Sequence, residues 1–332
     1  MVAVAGDGQC EVVLVGCGAP SRGMGWYHAE QMLKGKCPSA KLCFVVEPWF
    51  LGAVAEGKKR LALISGRTAD NPKLLGDCIK AGCSCIYLEK PGAPTVTELA
   101  AMRDEAAAAG VSVLMGYNKN VCKYVRKARE YQAENGGVIT FVSNNTYENT
   151  KESLGECFER NAEGMLKNMA IHEIALLVSF FDVTVENIAE CVADKEFSSS
   201  QTLTGPSGKE FTDFDKVKFT IKTKTGKEVS VQADRCGGDT SYAKVEKDGL
   251  EVFRHSMPDE EDKANVSVLE NEYPGAMPYF FSQDPDYITV KERVANFCAN
   301  GVEATGVATI DIAVETLRVA EYLTPTIREQ LA

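Results

Sequence analysis

Over the first 134 residues of this 332-residue chain, short apolar runs alternate with amphipathic stretches. Val12–Val15, Leu42–Val46, Leu61–Ile64, Cys85–Leu88 and Val111–Met115 have the length and composition of strands, and the pieces between them carry helical periodicity. Strands apolar at every position are buried on both faces, so the pattern predicts a parallel sheet covered by helices. From about residue 138 the character changes. Val138–Tyr147 reads as a long strand and Glu163–Phe181 as an amphipathic helix. Phe211–Thr223, Glu228–Ala233, Tyr242–Lys247 and Glu251–His255 read as antiparallel strands joined by turns at 224–227 and Asp248-Gly249, and helices near Tyr287–Ala299 and Ile310–Leu323 close the chain. The expectation is an α/β domain over residues 1–119, followed by an α+β domain over 120–332 with a large, mostly antiparallel open sheet.

A chain of this length with 45% hydrophobic residues has material for two cores. The formal net charge of -11 argues against a nucleic-acid surface, which needs clustered Lys and Arg. The short basic run Lys58-Lys59-Arg60 reads as a solvated helix end. Residues 1–10 lack a basic region followed by an apolar one, and no apolar stretch reaches the ~18 residues of a membrane span, so a soluble cytoplasmic protein without a membrane partner is expected. Twelve cysteines scattered through apolar runs read as buried reduced thiols, and with only three histidines no metal site is expected.

The chemistry starts in "EVVLVGCGAPSRGMGWYHAE", residues 11–30. An apolar strand leads into Gly16-Cys17-Gly18, but the next glycines are Gly23 and Gly25, so the loop is longer than a G-x-G-x-x-G turn. Glycines let backbone approach a pyrophosphate, and amides at a helix start point toward negative charge. Glu47, 22 residues beyond Gly25 at the end of the second strand, is placed to accept hydrogen bonds from ribose hydroxyls, and reads equally as a loop carboxylate. In "IYLEKPGAPTVTEL", Lys90 directly follows a buried strand and precedes Pro91, which restricts it to extended geometry at the carboxyl edge of the sheet. In "GMLKNMAIHEIALLVSFF", Asn168 and His172 are four apart and would share one face of a helix. A histidine in an apolar helix is either a satisfied core residue or a general base.

These residues resemble the Gfo/Idh/MocA family of NAD(P)-dependent oxidoreductases, which includes glucose–fructose oxidoreductase, inositol dehydrogenase and dihydrodiol dehydrogenase. The glycine loop at 16–25, "AGCSCIYLEKP" at 81–91, "VSVLMGYNKNVCKYVRKARE" at 111–130 and "EGMLKNMAIHEIALL" at 163–177 carry the resemblance. It implies a Rossmann-type first domain, a nicotinamide cofactor, and hydride transfer to or from a hydroxyl-bearing carbon of a sugar, cyclitol or related polyol. Lys90 takes the role of the family lysine beside nicotinamide and substrate hydroxyl, and its proline often follows a cis peptide. His172 takes the role of the acid/base. Asn168 stands where the family has aspartate, so it can orient substrate but cannot raise the basicity of the histidine by charge. Asn118, Lys119 and Tyr147 are the further substrate-side candidates. Gly16, Gly18, Ser21, Arg22, Gly23, Met24, Glu47, Ser65, Gly66, Arg67, Glu89 and Lys90 form the cofactor side.

Two further departures stand out. Ser65-Gly66-Arg67 and Asn71 occupy positions where the family commonly has Ala-Thr-Pro and then histidine, leaving Arg67 at the sheet edge beside the expected cofactor, where it reads equally as a simple loop arginine. Only 13 residues separate Glu47 from Leu61, enough for one crossover but not for an extra strand and helix. The edge strand on the adenosine side is therefore expected to be missing or vestigial, with Ser21 and Arg22 gripping phosphate to compensate. Glu47 favours NAD by repelling a 2′-phosphate, while Arg22, Arg67 and Lys58–Arg60 keep NADP open. The resemblance also implies a homodimer or homotetramer. A non-catalytic NAD(P)- or sugar-sensing protein on the same fold is the alternative reading.

Overall fold

The computed structural model describes residues 8–17, 24–46, 59–274 and 279–332. The chain folds into two compact units, one of Met1–Val121 with Asn265–Val314, the other of Cys122–Ala264 with Glu315–Ala332. The segment 265–314, which the sequence pattern assigns to the second domain, thus packs with the first. Its apolar helical stripe finds a sheet face there, a pairing that no local signal encodes.

In chain order the first unit holds β1 (Cys10–Val15), α1 (Met24–Leu33), β2 (Ala40–Val46), β3 (Arg60–Ile64), α2 (Asn71–Lys80), β4 (Cys85–Leu88), α3 (Val96–Ala108) and β5 (Ser112–Met115). The five strands form one parallel sheet, as the apolar runs predict, and the structure sets their order as β2-β1-β3-β4-β5. Over the described residues that is the order of the inner strands of a doubly wound dinucleotide fold. Among the described residues β2 is the edge. Residues 47–58, where an additional strand would arise, lie outside the described residues.

The second unit begins with α4 (Lys123–Asn135), β6 (Val138–Asn144), α5 (Lys151–Arg160), α6 (Met165–Asn168) and α7 (Ile171–Phe181). The strands β7 (Ile188–Ala193), β8 (Ser199–Thr204), β9 (Glu210–Thr223), β10 (Glu228–Asp234), β11 (Ser241–Lys247) and β12 (Leu250–Met257) follow. Their sheet runs β12-β11-β6-β10-β9-β7, with β8 paired to β9, and is antiparallel except where β6 meets β10. The β11–β12 hairpin turns on Asp248 and Gly249, both at positive φ (53° and 79°), the conformation a two-residue type I′ turn requires. The chain closes with α8 (Glu260–Glu272), α9 (Tyr279–Ser282), α10 (Asp284–Asn300) and α11 (Ile310–Leu331).

In the first unit α1 and α10 pack on one face of the parallel sheet. Cys10, Val12, Leu14, Leu61, Leu63, Cys85 and Tyr87 meet Ala29 and Met32 of α1 and Val290, Val294, Ala295 and Cys298 of α10 in one buried cluster. All twelve cysteines are free thiols. No described helix is long and apolar enough to cross a membrane.

Three local expectations are corrected. The helix expected over Glu163–Phe181 is two helices, because Gly164 at φ 93° delays the start and Ala170 (φ -81°, ψ 3°) interrupts the α-helical run. Asn168 and His172 therefore belong to different helices. The strand expected to reach Tyr147 ends at Asn144. Arg60 is not part of a solvated helix end. It opens β3, is fully buried, and donates through Nη1 to the Ala81 carbonyl (3.2 Å) at the end of α2, where a cation meets unpaired helix carbonyls. That position removes it from the residues available to a 2′-phosphate. Lys58 lies outside the described residues.

Candidate active site

At the carboxyl ends of β1 and β3 three backbone segments converge. Gly16 follows β1 at φ 83°, and a Cβ there would stand 2.9 Å from Gly66 Cα. A Cβ on Gly25, in the first turn of α1, would overlap the Gly16 carbonyl oxygen and reach within 2.8 Å of the Cys17 oxygen and Ser65 Oγ. Glycine at 16 supplies the left-handed turn, and glycine at 25 permits close packing of helix on strand. Ser65 secures the contact, its amide donating to Val15 O (3.1 Å) and its hydroxyl to Gly16 O (3.0 Å). Here β1 has β2 on one side and β3 on the other, the point at which open α/β sheets bind ligands. The strand-turn-helix with its Cβ-free approaches fits a dinucleotide. Gly18, Ser21, Arg22 and Gly23, and likewise Glu47, lie outside the described residues. Met24 opens α1 and packs against the buried cluster of Tyr27, Leu269, Tyr273, Phe280 and Phe281, while Arg67 is exposed just beyond β3.

One strand further along, β4 delivers Glu89 and Lys90 to the same edge. The Glu89 amide donates to Ile64 O of β3 (2.9 Å), and the Gly116 amide donates to Leu88 O (2.8 Å). The Lys90–Pro91 peptide is cis, and Asn71 Nδ2 donates to Gly92 O (2.9 Å), tying the following turn to the start of α2. The Glu89 side chain is 16% exposed, and its Oε1 accepts from Tyr87 Oη (2.8 Å) and pairs with His28 Nε2 (3.0 Å). Burial alone would push this carboxyl up. The His28 and Tyr87 hydrogen bonds and the Lys90 charge outweigh it and hold Glu89 below the usual carboxylate range. Lys90 therefore stands beside a fixed anion at the ligand edge of the sheet.

Asn118 follows β5 and is fully buried, its amide donating to Gln283 Oε1 (2.9 Å). Lys119 is buried next to it.

In the second unit, Tyr147 packs against Leu154, Phe158 and Leu203, and its hydroxyl accepts from Arg160 (2.6 Å). Asn168 ends α6 and donates to Glu163 Oε1 (2.8 Å). His172 lies half-buried in the first turn of α7. The start of α6 is held from below, because Asp213 Oδ1 accepts from the Met165 amide (3.1 Å) while its other oxygen binds Arg235 (2.6 Å). No group of three His, Cys, Asp or Glu side chains among the described residues is arranged to hold a metal.

The sequence pattern passed over two residues beside Glu89. His28 lies within the quoted glycine-loop segment but has no spacing signature of its own. Lys291 has one: Tyr287, Val290, Lys291 and Val294 follow helical i, i+3, i+4, i+7 spacing, which puts a lysine on an apolar face.

No protein-family model and no curated protein sequence matches the chain. Solved structures do match over nearly its whole length. Myo-inositol 2-dehydrogenase from Lactobacillus plantarum superposes with a TM-score of 0.68 at 15% identity, covering 97% of each chain. Scyllo-inositol dehydrogenase from Lactobacillus casei, solved with NAD(H) and scyllo-inositol, gives 0.68 at 13% identity and 97% of each chain. UDP-N-acetylglucosamine 3-dehydrogenase from Acidithiobacillus ferrooxidans gives 0.64 at 10% identity, covering 98% of this chain and 99% of the other. At such identities the likeness is one of fold.

Proposed function

We propose that this protein is an NAD(P)-dependent oxidoreductase that moves a hydride between nicotinamide and a hydroxyl-bearing carbon of a sugar, cyclitol or related polyol. The observation that carries the reading is Lys90, next to the largely buried Glu89 carboxylate and one strand from the Gly16–Gly25–Gly66 contact, at the ligand-binding edge of a doubly wound sheet. The dehydrogenase fold of the structural neighbours supports it.

When bound, the nicotinamide would supply the hydride acceptor. Gly16, Gly25, Ser65 and Gly66 would seat the dinucleotide, with Gly18, Ser21, Arg22, Gly23, Met24, Glu47 and Arg67 completing its contacts. Lys90 donates a hydrogen bond to the substrate hydroxyl and stabilises the negative charge that grows on its oxygen as the hydride leaves. His172 takes the hydroxyl proton. Asn118, Lys119, Tyr147 and Asn168 orient the remaining hydroxyls. The preferred dinucleotide is NAD, on the strength of Glu47. A homodimer or homotetramer is the proposed assembly, checked by light scattering.

The test is a fluorescence titration with NADH and NADPH followed by a screen of polyols and sugar alcohols for nicotinamide reduction. Saturable binding with turnover of at least one polyol supports the reading. Binding without turnover across the screen counts against an enzyme, and no binding removes the cofactor assignment as well.

A further inference from the structure

Behind Glu89 the first unit buries a chain of polar groups that the proposed hydride transfer does not use. Lys291 Nζ of α10 lies 3.0 Å from His28 Nδ1 of α1, and His28 Nε2 lies 3.0 Å from Glu89 Oε1. His28 is wholly buried and Lys291 nearly so. A lysine ammonium can only donate, so Nδ1 must accept from it, and the proton on the neutral imidazole is thereby placed on Nε2, facing Glu89. Tyr87 donates to the same carboxylate oxygen. The other oxygen faces Gly116, where a Cβ would stand 2.9 Å from Oε2 and 2.6 Å from Tyr87 Oη.

We propose that His28 and Lys291 are positioning residues for the proposed oxidoreductase: their directed hydrogen bonds, with that of Tyr87, hold the Glu89 carboxylate as a fixed anion beside Lys90. The chain is one-directional, because Lys291 ends it in the interior. It fixes charge and orientation and does not conduct protons to solvent.

The surroundings agree with that assignment. Burial and then the Lys291 charge push His28 down to about 4, against the opposing pull of Glu89, so it stays neutral at physiological pH. Burial lowers Lys291 to about 8, with Cys37, Glu89 and Asp284 opposing, so the ammonium form persists at pH 7. The charged and titratable groups facing the chain are Asp284 and Tyr287 on α10, Tyr87 on β4, Lys90 beyond β4, and Cys37 before β2. Of these, Asp284 is engaged separately, accepting from Tyr27 Oη (2.5 Å) and from Gln31. Tyr87 is pushed up, first by burial and then by the Glu89 charge, and remains a donor.

The first arm of the test does not depend on any activity. Nitrogen-15 NMR of the full chain reads the three histidines separately, with His28→Gln assigning the signal. A neutral Nε2–H imidazole that stays neutral down to about pH 5, and whose titration moves toward the ordinary range in Lys291→Met, is the expected result. An Nδ1–H tautomer, or titration near 6.5 in the wild type, overturns the arrangement.

The second arm rests on the oxidoreductase reading and uses a polyol that the wild type oxidises. His28→Leu should lower kcat about tenfold or more, raise the acid limb of the kcat profile by about one pH unit, and leave KM and NADH affinity within about threefold. His28→Gln, which keeps a donor toward Glu89, should recover most of the rate. Lys291→Met, which removes a buried charge and keeps an unbranched side chain one atom shorter, should shift the acid limb while keeping a wild-type circular dichroism spectrum. If His28→Leu keeps the wild-type kcat and pH profile, the positioning role is lost while the oxidoreductase reading stands. If the wild type neither binds dinucleotide nor turns over any polyol, the oxidoreductase reading fails together with the proposed role, and the NMR result decides whether the hydrogen-bond chain itself exists.

Discussion

Gly25 of α1 presses its Cα against the Gly16 carbonyl, leaving no space for a Cβ. Both obstacles nearest to it, the Gly16 and Cys17 oxygens, are backbone and cannot swing aside. Gly25→Ala should cost about 3 kcal/mol or more of stability by overpacking, read from urea unfolding, and abolish NADH binding. Gly76→Ala is the control of opposite sign. Gly76 is also helical, but its added Cβ would meet Glu105 Oε1 at 3.0 Å, the far end of a flexible side chain. Removing the helix-interior glycine should add about 0.5–1 kcal/mol there.

Acid sensitivity follows from His28. Its folded value of about 4 lies below the ordinary 6.5, so between those values the unfolded chain binds a proton that the native chain refuses. Stability therefore falls as pH drops through this window and levels off below it. From pH 7 to 5 this group alone should remove about 2 kcal/mol, at 1.36 kcal/mol per unit. His28→Gln should flatten that part of the profile in urea melts at the two pH values; an unchanged slope would assign the acid sensitivity to other groups.

Arg235 and Asp213 form a buried ion pair (2.6 Å) in the second unit, with Arg235 also donating to Phe214 O (3.2 Å) and Cys157 Sγ (2.9 Å). Arg235→Met leaves the buried Asp213 carboxylate with only the Met165 amide and the more distant Arg328 (4.0 Å) and should cost about 3 kcal/mol. The double variant with Asp213→Asn should lose less than the sum of the single variants in a double-mutant cycle. Asp213 also holds the Met165 amide, so Asp213→Asn should weaken substrate KM through the α6 segment before it affects NADH binding.

Lys90→Met should reduce kcat by about 10²–10⁴-fold with NADH affinity little changed, the range expected for loss of one positioned electrostatic donor. His172→Ala should lower kcat by a similar order and remove one limb of its pH profile. Stopped-flow turnover with a polyol substrate measures both, and near-wild-type rates in either variant would withdraw that residue from the chemistry.

β1, β3, β4 and β5 were legible because a strand buried on both faces must be apolar; the edge strand β2 keeps an apolar run although Val45 is exposed, and the Lys90 setting was legible because Pro91 follows it directly. β7 and β8 were not. Ile-Ala-Glu-Cys-Val-Ala and Ser-Ser-Gln-Thr-Leu-Thr are mixed or polar runs whose pairing to β9 supplies the strand geometry that their own residues do not demand. The expected helical face shared by Asn168 and His172 failed for a local reason, Gly164 at positive φ and the break at Ala170, which spacing alone does not reveal.

The sequence by itself determined the parallel sheet, its strand order's raw material, and the residues at the carboxyl edge, since burial and backbone restriction act on neighbouring positions. The tertiary structure decided which distant groups meet. Lys291 reaches His28 across 263 positions, and residues 265–314 return to the first unit, because apolar stripes and buried charges seek partners by shape and satisfaction rather than by distance along the chain.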